Sequence, residues 1–112
     1  MSEVHVTGAF VVVQEPTIKS VGTTKVANVA GMVVEQIGQG EQKRELFSYF
    51  DLELWDKAAE YIENNCHKGD TIIVLKGTPR QNRWESEDGK KNSKVIFRVS
   101  SFRLIPKKEQ VA

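Results

Sequence analysis

A small all-β barrel of five strands, with one α-helix between the third and fourth, is the fold this sequence predicts. Three observations carry the expectation. Five segments are rich in β-branched and aromatic residues and are bounded by Gly, Pro, Asn or Asp, as strands are. A single stretch, Trp55 to Cys66, repeats its apolar residues at helical spacing. A chain of 112 residues, 39% of them hydrophobic, suits one domain with a small core.

The elements follow in order. Val4 to Val13 is a valine-rich strand in which Gly8 marks a bulge or a close backbone approach. Glu15-Pro16 ends it, because proline supplies no ladder donor and restricts the residue before it. Ser20 to Lys25, with Gly22 and two threonines, reads as a turn, and Val26 to Val34 as the second strand. A polar loop at Gly38 to Glu41 leads into the third strand, Glu45 to Leu54. Here the period of two puts Leu46, Phe50, Leu52 and Leu54 on one face and Phe47, Tyr49, Asp51 and Glu53 on the other. The helix is expected over Trp55 to Cys66, with Trp55, Ala58, Ala59, Ile62 and Cys66 on its apolar stripe and Lys68-Gly69-Asp70 as the stop. Thr71 to Asn82 is the fourth strand. Pro79 within it demands a bend, a bulge or an edge. Asp88-Gly89 sits in a hairpin tip spanning Glu85 to Asn92, and Lys94 to Leu104 is the fifth strand. Pro106 to Ala112 is a short polar tail after a domain of residues 1–105.

Three strands, a helix and two strands is the layout of the OB-fold, a partly open barrel that binds oligonucleotides or oligosaccharides across its second and third strands. The rest of the composition narrows the function. Cys66 is the only cysteine, so no internal disulfide forms, and its place on the apolar stripe makes it a core thiol rather than a nucleophile. His5 and His67 are far apart and sit in no metal-spacing motif, and no Walker-type loop occurs. Asp51, Glu53 and Asp56 read as a solvated face rather than a metal cluster. No cofactor, no metal and no catalysis are expected. A nuclease built on this fold would need clustered carboxylates and a metal. The N-terminus lacks the basic and apolar regions of a secretion signal, and no apolar run approaches a membrane span, so a cytoplasmic chain with no membrane partner is expected.

The net charge of +1 conceals a split. Residues 76–103 hold eight bases against three acids, and residues 1–75 hold six bases against eleven acids. A local basic stretch with aromatics in it suits a polyanion whose bases stack. Lys76, Thr78, Arg80, Asn82 and Trp84 share one parity, a basic face ending in an indole. Trp84 has two readings: a stacking surface, or a hairpin cap packed on Phe97 or Ile96. Tyr49 is a second candidate platform. Phe47 is expected to pack. Trp55 is ambiguous, because strand parity aligns it with Tyr49 and helical spacing aligns it with the core. Asp51 and Glu53 share the face of Tyr49 and would repel nearby phosphates.

Taken in order, several segments resemble bacterial and phage single-stranded DNA-binding proteins of the OB-fold type. They are Gly8 in its strand, Glu15-Pro16, Val26-Ala27-Asn28, Leu54 to Glu60 (LWDKAAE), Lys68-Gly69-Asp70 running through Ile72–Leu75 to Gly77, and Arg83-Trp84 before Asp88-Gly89. The likeness covers about residues 2–105. It implies a non-enzymatic, sequence-tolerant binder of single-stranded DNA, with single-stranded RNA left open, acting in replication, recombination or repair in a bacterial nucleoid or a phage-infected cell. The family's stacking aromatics fall on Tyr49, Trp55 and Trp84; a fourth falls near the aliphatic Ile37. The bases around that groove would include Lys19, Lys57, Arg80 and Arg83, with Lys76 added from strand parity. The likeness also implies a homo-oligomer, a tetramer or a dimer. Cellular members end in a linker and an acidic, phenylalanine-tipped tail, and this chain ends at Lys107-Lys108-Glu109-Gln110-Val111-Ala112 without either. The rival reading is a protein-interaction module whose aromatics are buried between subunits of a replication assembly.

Overall fold

The computed structural model of the chain describes residues 4–109. Its strands are β1 (Val6–Val12), β2 (Thr17–Val21), β3 (Thr24–Ile37), β4 (Arg44–Trp55), β5 (Thr71–Glu85) and β6 (Lys91–Ile105), with one helix, α1 (Lys57–Asn65), between β4 and β5. One sheet runs in the order β1-β5-β6-β4-β3-β2, and a β1–β3 pairing closes it. β1 and β2 both pair with β3, Val11 opposite Met32 and Thr17 opposite Asn28, so they are two halves of one path broken before Pro16. The barrel is thus five-stranded with its helix after the third strand path, as the sequence predicts.

The boundaries differ in instructive ways. The predicted turn over Ser20–Lys25 shrinks to Gly22 and Thr23, because Ser20 pairs with Lys25 and Val21 with Thr24. A two-residue hairpin loop suffices where Gly22 supplies a φ of 63°. Trp55 belongs to β4 rather than to the helix, since it pairs with Val26. The chain turns at Asp56, whose φ of 56° no other described non-glycine residue shares. Its N–H donates to the Lys25 carbonyl at 2.9 Å, and its own carbonyl accepts from Glu60 N–H. Gly8 does sit at a register shift in β1. Pro79 causes no shift. Past Gly77, which pairs with Val6, β6 is the strand paired with β5 among the described residues, so within them the proline lies on an edge, while the irregularities fall around Lys76. Of the tail, Lys107–Glu109 form a 3-10 turn, and Gln110 to Ala112 lie outside the described residues.

The core forms where alternating residues of all strand paths meet α1. Phe10, Val12, Ala27, Val29, Leu52, Leu54, Ile72, Val74 and Val99 close over Ala59, Ile62 and Cys66. Phe50 stacks on Phe97 at 5.1 Å and meets Phe10 edge-on at 6.1 Å. Gly31 lets Phe10 cross β3, since a Cβ there would lie 2.9 Å from that of Phe10. Below α1, buried Asp70 ties the last turn together by accepting from the backbone N–H groups of His67 and Lys107, each at 2.8 Å.

Two ribbons extend past the barrel. β3 and β4 pair with each other alone beyond Val33 and Ser48, and β5 and β6 do so from Gln81 to Val95. Because β4 and β6 run parallel, Asp51 beside Ile96, both ribbons leave the same end of the barrel.

Candidate nucleic-acid interface

Residues opposite each other in a sheet share a face, so the register assigns one continuous surface. One row across it is Thr17, Asn28, Glu53, Arg98 and Thr78. The next toward the ribbons is Ala30, Asp51, Ile96 and Arg80, and beyond it β4 and β3 place Tyr49 beside Met32 while the other ribbon carries Asn82 beside Lys94. Farther still lie Phe47 and Val34 on one ribbon, and Trp84 and Asn92 on the other. At the opposite end the row is Lys19, Val26 and Trp55.

The rings on this face are open. Tyr49 is 65% exposed, Phe47 52% and Trp84 47%. Trp84 borders a groove with Gln81, Arg83, Lys91 and Asn92, and Phe97, one of the two residues on which a hairpin cap would pack, is engaged with Phe10 and Phe50. Phe47, expected to pack, faces out. Trp55 is half-buried, with its indole in a cleft beside Ala58, Arg98 and Ser100, and Arg98 Cζ lies 6.0 Å from the ring centroid.

The acids on this face are not the solvated row that the sequence predicts. Glu53 is only 3% exposed. Its Oε1 accepts from Trp55 Nε1 at 2.8 Å, Arg80 Nε at 3.2 Å and Arg98 Nε at 3.3 Å, and its Oε2 accepts from Arg80 Nη2 at 2.5 Å. Burial alone would raise the Glu53 pKa, but the hydrogen bonds from Arg80, Trp55 and Arg98 outweigh it and hold the carboxyl below its usual range. The same contact raises the pKa of Arg80. Asp51 is paired with Lys94. Two carboxylates that would repel phosphate are thereby each covered by cations, and Glu53 orients two guanidinium groups and an indole at once. Among the described residues no cluster of His, Cys, Asp or Glu has the makings of a metal site.

The remaining basic residues are distributed unevenly. Lys19 shares a groove with Asn28 and Asp51 on this face. Lys57 opens α1, exposed, two residues after Trp55. Lys76 is exposed at the β5 irregularity. Arg83 alternates to the opposite side of the ribbon from Trp84, where its Nη2 donates to Gln81 Oε1 at 2.8 Å. Lys94 and Arg98, absent from the sequence-based site, lie on the ring-bearing face, and their shared parity in β6 was the signal available. Cys66 is buried, and burial pushes its thiol up to about 12.

A closed five-strand barrel with one helix between its third and fourth strand paths is an OB-fold. Residues 1–105 match the single-strand binding protein family, and the chain belongs to that family. Single-stranded DNA-binding protein 1 of Synechocystis sp. is 35% identical over 72 residues, 63% of this chain and 59% of the relative. Its counterpart in Nostoc sp. is 36% identical over 62 residues, 54% and 51% of the two chains. The chain spans about half the length of these curated relatives. Among solved structures, a Plasmodium falciparum SSB complex with ssDNA superposes with a TM-score of 0.81 at 19% identity, covering 95% of this chain and 96% of the other. A small single-stranded DNA-binding protein from Streptomyces coelicolor gives 0.73 at 12% identity, covering 92% and 94%. At those identities the likeness establishes the fold. No helix among the described residues is long and apolar enough to cross a membrane.

Proposed function

We propose that this chain binds single-stranded DNA with little sequence preference and shields it during replication, recombination or repair. Bases stack on Tyr49, Trp55 and Trp84, and phosphates are neutralised by Lys19, Lys57, Lys76 and Arg80, with Arg83 engaging a strand that rounds the ribbon edge. The observation that carries this reading is one sheet face with open rings whose acids are already paired, Glu53 with Arg80 and Arg98, and Asp51 with Lys94. An aromatic face accepts any base, and stacking contributes roughly 1–3 kcal/mol per base, so affinity arises without base-edge readout. No bond is made or broken in this scheme and no cofactor takes part. Residues 1–105 form the binding domain and 106–112 a tail, acting in the cytoplasm.

The ribbons also offer apolar contact area for a homo-oligomer, tetramer or dimer: Val34 and Phe47 are exposed on the ring-bearing face, and Leu46 and Val95 on the opposite one. A pure interaction module would instead bury Tyr49 and Trp84 between subunits, so that Tyr49→Ala and Trp84→Ala dissociate the assembly.

Titration with oligo-dT tests the proposal. Tryptophan emission should quench, and log affinity should fall with log salt at a slope near −0.7 per neutralised phosphate. Absent quenching together with a flat salt response removes the reading. Mass in solution, with and without oligo-dT, fixes the assembly.

A further inference from the structure

The cleft beside Trp55 is the mouth of a longer trough. It leaves the barrel face there and runs along α1 against the C-terminal half of β6. Its first section, about 520 Å³, lies between Trp55, Ala58 and Arg98. Ala58 also walls the second, about 510 Å³, which Lys57, Tyr61 and Arg103 border. Tyr61 and Leu104 join that to a third of about 470 Å³, edged by Lys68, Lys107 and Lys108.

Charge, stacking surface and continuity point the same way. Lys57, Lys68, Arg103, Lys107 and Lys108 are exposed, and none has an ion pair within the described residues. Of the acids lining the walls among the described residues, Asp70 is buried with both carboxylate oxygens occupied by backbone N–H groups and Asp56 is exposed, while exposed Glu15 at the far end is held by His67 Nδ1 and the Lys68 backbone N–H. Tyr61 meets Phe102 edge-on at 6.0 Å and still leaves 48% of its surface open. The trough begins where the ring-bearing face ends, at the indole that Arg98 overlies.

We propose that this trough is a second single-stranded DNA track, continuing from Trp55 along α1. It rests on the reading given above and extends that site beyond the barrel face. The nine residues of α1 rise about 1.5 Å each, roughly 13 Å in all. At about 3.4 Å per stacked nucleotide this takes up to about four, fewer if the strand is stretched. Tyr61 stacks a base midway, and the lysines at the far end hold the phosphates that follow.

The test compares oligo-dT of about 8 nucleotides, within the span of roughly 4–16 that one OB-fold takes, with oligo-dT of about 20, beyond it. One variant combines Lys68→Gln, Lys107→Gln and Lys108→Gln; a second is Tyr61→Leu; Trp84→Ala is the reference. The triple variant should bind the long oligomer at least about ten-fold more weakly and lose about 2 from its log–log salt slope, at about 0.7 per cation. Its affinity for the short oligomer should stay at wild type. Tyr61→Leu should weaken the long oligomer by about five-fold or more and spare the short one, whereas Trp84→Ala weakens both. A triple variant that keeps long-oligomer affinity and slope, or loses both oligomers alike, overturns the track. So does a trough that binds a hexa-aspartate peptide, loses it in the triple variant and leaves oligo-dT untouched, which would assign it to an acidic protein partner. If the wild type binds neither oligomer, the parent reading fails and takes this one with it.

Discussion

Replacing Glu53 by glutamine separates the stability of this fold from its charge. Four hydrogen bonds converge on the carboxylate, three of them from Arg80 and Arg98. Glutamine keeps the shape but removes the charge, and its amide would present N–H groups to guanidinium N–H groups. Each charge-assisted bond reduced to a neutral one loses about 1 kcal/mol. Arg80 and Arg98 retain 35% and 55% exposure of their side chains, so water recovers part of the loss. The expected destabilisation is about 1–3 kcal/mol at pH 7, read from urea unfolding at fixed protein concentration. The sign of the pH dependence follows from the lowered Glu53 pKa. A depressed carboxyl stabilises the fold above its unfolded value, about 4.3, and that contribution is lost as pH falls through the folded value. The gap between wild type and Glu53→Gln should therefore narrow as pH drops below about 4. Two guanidinium groups released from Glu53 should also steepen the salt dependence of oligo-dT binding, by up to about 0.7 each. A variant as stable as wild type at pH 7, or a gap that stays constant to pH 3, would refute the view that Glu53 is a paired, charged anchor.

Three further outcomes are expected. Trp84→Ala should weaken oligo-dT binding by roughly 1–3 kcal/mol, about 5- to 150-fold in a fluorescence or anisotropy titration, and shift the unfolding midpoint little, because the ring is nearly half exposed. Cys66, with its thiol pushed up to about 12, should resist an aromatic disulfide reagent at pH 8 in the native protein and react once urea unfolds it. Gly31→Ala should cost about 1–3 kcal/mol in thermal unfolding, because its Cβ would lie 2.9 Å from that of Phe10, which is fixed among Phe50 and Phe97.

What the sequence discloses here is what is local. Strand period is a two-residue property, so parity alone puts Tyr49 opposite the leucines of β4 and puts Arg80 and Trp84 together on β5; the same count sets Arg83 on the far side, which likeness to a motif conceals. Trp55 was undecidable from either period, because its assignment depends on the turn at Asp56, anchored to the carbonyl of Lys25 across the sheet. The burial of Glu53 was likewise invisible, since its arginines lie 27 and 45 residues away in sequence. A carboxylate on an outward parity looks solvated until those partners close over it. The split of the first strand path is not legible locally, because Pro16 ends a run without saying whether the chain rejoins the same neighbour.

The ribbon from Gln81 to Val95 carries one more consequence. Its backbone pairs internally, with no third strand among the described residues to brace it, and a two-stranded element on its own is marginal in water. Trp84 therefore rides near the free end of a compliant lever, hinged where Ile96 rejoins Asp51. Amides along the lever should exchange with solvent by local opening while those of the barrel stay protected. A ring on such a mount swings to meet a base wherever the strand presents it, so tolerance of sequence is built into the mechanics of the fold as well as into the chemistry of the indole.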